Sequence, residues 1–440
     1  MTKRIQNWLN TDGSWLFPIL AMVAAFSSYL CMYAFRKPFT AATYESLELW
    51  GISYKVVLVI SQVFGYMLSK FIGIKVVSEM KPERRVGTIL LLIGVAWLAL
   101  LGVALVGYPY ALIFFFFNGL PLGMIWGLVF SFLEGRRLTE LLGAGLAASF
   151  IVGSGWVKGV SRYLMFEWGV SEFWMPFMTG AVFALPLLVS VWLLSLLPPP
   201  NEADIAQRTV REPMSGKERM AFFKAYGPGI VMIIAIFVIL TAYRDFRDKF
   251  EVEIWEGLGY AKDEIGAQLA SANTIIGFTV TGLLAFFILV KNNYLAFWGN
   301  MGLLIVNSLM LFASMFLFFN GYIDAYWWMI SIGFWMYMSY VSYHNVLLER
   351  FISVSGVKGN YGFLMYLADS SGYLGSIILL LYKEIWYKEP EGGNGSSWLE
   401  FFYSFTYIAG ALMILFTLIS IIYFIRRFRQ KEHNPIQATT

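Results

Sequence analysis

Long apolar runs separated by short charged clusters set the pattern of the chain. Twelve can be read. Six come first: Trp15–Ala41, Lys55–Val77, Val86–Val106, Tyr110–Leu133, Leu141–Met165 and Trp174–Leu197. Six more lie beyond them: Pro228–Phe250, Ile265–Val290, Tyr294–Phe319, Tyr326–Leu348, Tyr361–Leu381 and Leu399–Ile425. A helix needs about 20 apolar residues to cross roughly 30 Å of hydrocarbon, and each run reaches that length. The pattern therefore predicts an all-α membrane protein with twelve transmembrane helices. Residues 15–197 and 228–425 form two six-helix halves, flanked by tails at 1–14 and 426–440. The connection 198–227 is rich in Pro, Asn, Glu, Arg and Lys. It predicts a solvated loop with a short helix near Lys217–Lys224.

Composition agrees. Apolar residues make up 58% of the 440 and charged residues only 14%, where soluble domains run near a quarter charged. Orientation follows from the basic residues. Lys3, Arg4, Lys81, Arg84, Arg85, Arg136 and Arg137 fall on one side, together with Arg208, Arg211, Lys217 and the tail from Arg426 to Lys431. The opposite connections Gly107–Pro109 and Asn320–Ala325 carry none. Both termini are expected in the cytoplasm, in a multi-pass protein of the cell inner membrane. Residues Glu389–Ser397, with their Gly-Gly-Asn-Gly run, become an external turn. They are not read as a phosphate loop, because no Lys-Ser/Thr follows and no strand precedes.

The lone Cys31 excludes a disulfide framework, and His344 and His433 are too few and too far apart for a metal site. No nucleophile–base pair or nucleotide loop points to an enzyme, and no cofactor is expected. The net charge of +4 reflects topology and not nucleic-acid binding. The apolar stretch Trp15–Phe35, longer than a signal-peptide core, is followed by Arg36-Lys37-Pro38 and not by a small-residue cleavage site. Gly119, Gly123 and Gly127, then Gly155 and Gly159, recur every fourth residue, a spacing that lets membrane helices approach closely.

Ionisable groups at membrane depth carry the functional information. Each costs roughly 2.5–3.5 kcal/mol or more at a helix centre, so each needs a partner, a wet cavity or a function. They are Arg36, Lys37, Lys70, Lys158 and Arg162 in the first half. The second half has Arg244, Asp245, Arg247, Asp248, Lys249 and Asp369. At depth the first half is cationic, with no carboxylate of its own to balance it. Tyr33-Ala34-Phe35-Arg36 and Thr241-Ala242-Tyr243-Arg244 occupy comparable places in the first helix of each half. Symmetry-related halves would aim both guanidinium groups at a central site, where a dianion such as phosphate fits their planar forks. The competing reading pairs each arginine internally, Arg244 with Asp248 and Arg36 with Glu45 or Glu48. Asp369 is open to pairing with Lys70 or Lys158, or to carrying a proton.

Several segments resemble the organophosphate:phosphate antiporters of the major facilitator superfamily. Tyr29-Leu-Cys-Met-Tyr33-Ala-Phe-Arg36-Lys37-Pro-Phe39 is similar to that family's Tyr-rich first helix. Ser69-Lys70-Phe71 resembles its second-helix element. Asn118-Gly119-Leu120, Gly123 and Trp126 resemble its fourth helix, and Gly372-Tyr373-Leu374-Gly375 its eleventh. The resemblance implies the major facilitator fold and exchange of a small phosphorylated anion for inorganic phosphate by alternating access. It implies that Arg36 and Arg244 hold the phosphate, that Lys70 attracts it, and that Tyr29, Tyr33 and Tyr373 line the site. A monomer is the expected state. The sequence also departs from the family. The stretch Ser149–Gly155 lacks the family's histidine, Trp126 is followed by Gly127-Leu128, and the seventh helix is unusually charged. Lys158 and Arg162, one turn on, are candidate replacement charges, and Asp245, Asp248 and Asp369 are candidate proton carriers. Two alternatives stand beside exchange: proton-coupled symport of a sugar or organic acid, and a transporter-like sugar-phosphate sensor.

Overall fold

The computed structural model describes residues 16–78, 80–133, 139–198, 216–288, 290–355, 361–387 and 397–433. Helix occupies most of every one of the twelve apolar runs. The first, α1 (Leu16–Tyr33), ends before Arg36, and Pro38 then opens a short 3-10 helix, Pro38–Ala41. Proline suits a first helical position because its missing N–H has no partner to lose there. A two-strand hairpin comes next, β1 (Glu48–Leu49) against β2 (Ile52–Ser53). Trp50 and Gly51 turn it with φ of 57° and 73°, the left-handed pair that tight hairpins require. The chain continues through α2 (Tyr54–Ser78), α3 (Arg85–Val106), α4 (Ala111–Leu122), α5 (Ile125–Phe130), α6 (Thr139–Phe166) and α7 (Met175–Ser195). The fourth run is thus broken between Leu122 and Ile125.

Beyond the connection lie α8 (Gly216–Lys249), α9 (Glu251–Gly257), α10 (Ile265–Ile288), α11 (Asn293–Phe319) and α12 (Ala325–Ser342). The short helix expected near Lys217–Lys224 is continuous with the seventh run, one helix of 34 residues. The α11 and α12 starts are capped, by Asn292 accepting from Leu295 N and Asp324 from Trp327 N. A π-helical turn (Tyr343–Leu347) leads into α13 (Leu348–Ser355), and α14 (Tyr361–Ile385) and α15 (Ser397–His433) complete the chain. Asn394, expected on the external side, and Met214 and Gln437, expected in the cytoplasm, lie outside the described residues, as does most of the Glu389–Ser397 segment.

Among the described residues, nine helices are long and apolar enough to cross a membrane. The fifth, tenth and eleventh runs fall short, and two of them carry Lys158, Arg162 and Asp369. Leu91, Leu98, Leu105, Leu185 and Phe286 are each about two-thirds exposed. Such an apolar exterior is costly in water and neutral against lipid.

Contacts divide the chain into two units. The first comprises Met1–Thr209, Asp248–Ala285 and Leu380–Leu399. Within it α2 packs on α4, and a Cβ at Gly123 would stand 2.7 Å from the Ser69 side chain. A Cβ at Gly159 would stand 2.8 Å from the Gly266 carbonyl on α10, so the four-residue glycine spacing serves close helix approach. The second unit comprises Val210–Arg247, Phe286–Leu379 and Glu400–Thr440. There Tyr243 of α8 stacks on Phe402 of α15 and shares a 2.9 Å hydrogen bond with Thr406.

Candidate functional site

In the first unit the turn after α1 is fixed by two amides. Gln62 Nε2 donates to the Arg36 carbonyl at 2.9 Å and to Asn118 Oδ1 at 2.7 Å. Asn118 Nδ2 donates in turn to the carbonyls of Phe35 and Ala96, at 2.9 and 3.0 Å. The turn is thereby tied to α2, α3 and α4. The Arg36 guanidinium lies 3.8 Å from the Tyr66 ring centroid, and Lys70 Nζ lies 5.5 Å from the same ring. Tyr33 is 5.9 Å from Arg36 and meets Tyr29 edge-on. Of the residues expected at the anion, this unit therefore brings Arg36 and Lys70 to Tyr66, with Tyr33 beside Arg36 and Tyr29 against Tyr33. Each desolvated cation–π contact is worth about 0.5–2 kcal/mol.

A second cluster in the same unit is built on Asp248 of the seventh run and on Glu251 and Glu253 just beyond it. Asp248 accepts from the Lys37 ammonium and, at 2.5 Å, from Ser154. Lys158 donates to the Asp248 carbonyl at 2.8 Å and to Glu251 Oε2 at 2.5 Å, and Asn273 donates to Glu251 at 3.0 Å. Lys55 donates to Glu253 at 2.5 Å and to the Thr40 carbonyl at 3.0 Å. All of these ionic side chains are buried. The helix breaks at Phe250, and α9 restarts one residue later with Glu251 and Glu253 in its first turn, where carboxylates also suit the dipole. The expected cationic excess at depth is therefore met by carboxylates from later in the chain. Asp248 does not pair with Arg244; it serves Lys37 and Lys158. Lys158, a candidate substrate charge and a candidate partner of Asp369, sits with Asp248 and Glu251.

In the second unit Arg244 donates to Asp245 Oδ1 through Nε at 3.1 Å and Nη2 at 2.6 Å. Its guanidinium lies 4.1 Å from the centroid of Tyr340. Tyr373 lies within electrostatic reach of Arg244, and Asp369 within reach of Tyr340. This unit thus gathers Arg244, Asp245, Tyr373 and Asp369 around Tyr340. Each expected arginine rests on a tyrosine. Tyr66 and Tyr340 were not among the expected site residues; Tyr66 adjoins the Ser-Lys-Phe segment, whereas nothing in the spacing marks Tyr340.

Between α1 and α2 the backbone N–H groups of Thr43 and Tyr44 donate to Glu172 Oε1 at 3.2 and 3.1 Å. Glu45, one of the carboxylates considered for Arg36, instead accepts from Lys262. That hydrogen bond lowers the Glu45 pKa and raises that of Lys262. A cavity of about 500 Å³ opens here, lined by Glu45, Glu48, Glu253, Glu256 and Trp398 among others. Three of its carboxylates are engaged, Glu45 by Lys262, Glu253 by Lys55 and Glu256 by Arg162 at 3.6 Å. Among the described residues no three His, Cys, Asp or Glu side chains are grouped to hold a metal ion.

Residues 38–427 match the family of unknown function DUF5690. The chain belongs to that family. No curated protein matches the sequence. Solved structures match over nearly their whole length. A D-xylose–proton symporter is 16% identical with a TM-score of 0.59, covering 92% of this chain and 97% of its own. The nucleoside transporter NupG is 14% identical with a TM-score of 0.59, covering 93% and 99%. A bacterial homologue of the human lysosomal transporter Spinster, inward-facing and unoccupied, is 14% identical with a TM-score of 0.55, covering 95% and 98%. The fold of this family member is that of the major facilitator transporters.

Proposed function

We propose that the protein is a secondary active transporter for a small organic anion of the phosphate-ester type, working by alternating access in a cell membrane. The observation that carries the reading is the sharing of one ring by two cations, Arg36 at 3.8 Å and Lys70 at 5.5 Å from the Tyr66 centroid. Like charges held near one aromatic ring repel each other, and an anion bound beside them relieves that repulsion. Arginine supplies the planar fork that matches phosphate, and lysine a mobile point charge. The fold supports transport as the use of that anion site. Within its own unit Arg244 is already balanced by Asp245, and it would take an anion only as Asp245 is relieved. The test is uptake of labelled glycerol 3-phosphate into proteoliposomes, competed by sugar phosphates, phosphonates and neutral sugars. Competition by neutral sugars alone would refute the anionic reading.

One observation favours net transport over obligatory exchange with phosphate. Lys37, Lys55 and Lys158 are balanced by Asp248, Glu253 and Glu251, so the unloaded protein does not need a bound anion to neutralise them. Net uptake coupled to protons is then open to the same carrier.

A further inference from the structure

The tenth apolar run does not remain α-helical. After α12 the chain makes one π-helical turn, Tyr343–Leu347, before α13 resumes. The extra residue of such a turn rotates the succeeding helix face by about 100°, and π turns recur at functional sites. This one is pinned from α8. The Tyr343 hydroxyl donates to the Ile233 carbonyl at 2.9 Å, and its ring lies 4.8 Å from that of Phe237. Tyr343 and Leu347 are buried, while His344, Asn345 and Val346 between them are partly open.

The His344 ring centroid lies 6.1 Å from that of Tyr340 and 6.4 Å from that of Phe237. Tyr340 is the ring that carries Arg244. The imidazole therefore stands one aromatic ring away from the Arg244–Asp245 pair, on the helix face that Tyr340 occupies one turn earlier. Its Nδ1 lies 3.2 Å from Asn345 Oδ1. A partly open His–Asn pair on a membrane helix is costly against hydrocarbon, so its exposed side calls for polar surroundings.

We propose that His344 is a substrate-contacting residue of the Arg244 site, hydrogen-bonding an oxygen of the anion through its imidazole. The inference rests on the reading of Arg244 as an anion contact. Imidazole can donate or accept through either ring nitrogen, which suits it to hydrogen-bond an anion's oxygen.

A His344→Cys variant in a Cys31→Ser background tests this without assuming the ligand. Modification by a water-soluble thiosulfonate is expected, and saturating glycerol 3-phosphate is expected to slow it about tenfold. No modification of the folded protein would overturn the proposal. So would modification that no solute of a panel of phosphate esters, carboxylates, sugars and nucleosides slows. Protection by a neutral solute alone would keep His344 at the site and refute the anionic reading instead. Should the cysteine variant fail to fold, His344→Gln and His344→Leu decide the matter through binding of whichever panel solute the wild type binds. The amide is expected to retain more affinity than the leucine, and equal, wild-type affinity in both would refute the contact.

Discussion

Lys158 and Glu251 form an ion pair with no exposed surface on either side chain, the ammonium donating to Glu251 Oε2 at 2.5 Å. Removing one partner strands a buried charge, at a cost of about 3–5 kcal/mol, whereas replacing both with well-packed neutral groups is often tolerated. Lys158→Met and Glu251→Gln alone are each expected to lower thermal stability in detergent by that order. The double variant is expected to recover most of the loss, and additive losses would show that the two charges are not coupled.

Arg36 is predicted to act through its planar fork and through Tyr66. Arg36→Lys is expected to lose anion binding severely while abundance in the membrane is kept. Tyr66→Leu is expected to weaken binding about 5–30-fold, the factor matching a cation–π contact of roughly 1–2 kcal/mol, while Tyr66→Phe keeps most of it. Binding titrations with glycerol 3-phosphate on purified protein distinguish these outcomes. Equal losses in the leucine and phenylalanine variants would remove the ring face from the explanation.

The helices were legible because hydrocarbon leaves a chain little choice: backbone groups must pair internally, so long apolar runs become helices. The ion partners were not. Lys37 and Asp248 are separated by 211 positions, and side-chain spacing along one helix offered Arg244 as the nearer match for Asp248. The break at Phe250 decides otherwise, because it turns Glu251 and Glu253 toward Lys158 and Lys55. Arg36, Lys70 and the tyrosines of α1 were legible as a group through their motif. The π turn that sets His344 was invisible, since nothing in Tyr343–Leu347 departs from an ordinary helical composition.

Asp245 is predicted to hold back the anion affinity of Arg244. Asp245→Asn removes the carboxylate that accepts both guanidinium hydrogen bonds, without changing side-chain size. If Arg244 serves the substrate, the variant is expected to bind a phosphate ester several-fold more tightly. Unchanged affinity with a lowered melting temperature would assign the pair a structural role alone.

The exposed Glu45–Lys262 pair has a defined pH window. The hydrogen bond from Lys262 holds the Glu45 pKa below its unfolded value of about 4.3. Its stabilisation is therefore present above that pH and lost as pH falls through the folded value. Lys262, whose pKa is raised, contributes below about 10.4 and loses its share as pH rises through the folded value. Because the pair is solvated, its contribution is small and falls with salt. Glu45→Gln is expected to melt slightly below wild type at pH 7 and low salt, with the difference shrinking as pH falls below about 4. A difference that persists in acid would rule out the ion pair as its source.

The mode of transport turns on Glu251. Each unpaired cation that the empty carrier desolvates on closing costs several kcal/mol, so internal pairing of the lysine cluster lowers that barrier even though Arg36 and Lys70 still favour an anion. Here Lys158 has Glu251 and Asp248, Lys37 has Asp248, and Lys55 has Glu253. Wild-type protein is therefore expected to accumulate labelled glycerol 3-phosphate in empty proteoliposomes at a rate within about tenfold of that in phosphate-loaded ones. Glu251→Gln removes one negative charge from the cluster while keeping the side chain's size and a hydrogen-bonding group for Asn273. Closure of the empty carrier then strands positive charge, whereas closure around a bound anion is penalised less. The variant is expected to lose uptake into empty vesicles and to retain exchange in loaded ones, becoming an exchanger by a single substitution. Equal loss in both assays would mean that Glu251 supports folding or the transport cycle as a whole. Wild-type protein inactive in empty vesicles would show that the internal carboxylates do not release it from exchange.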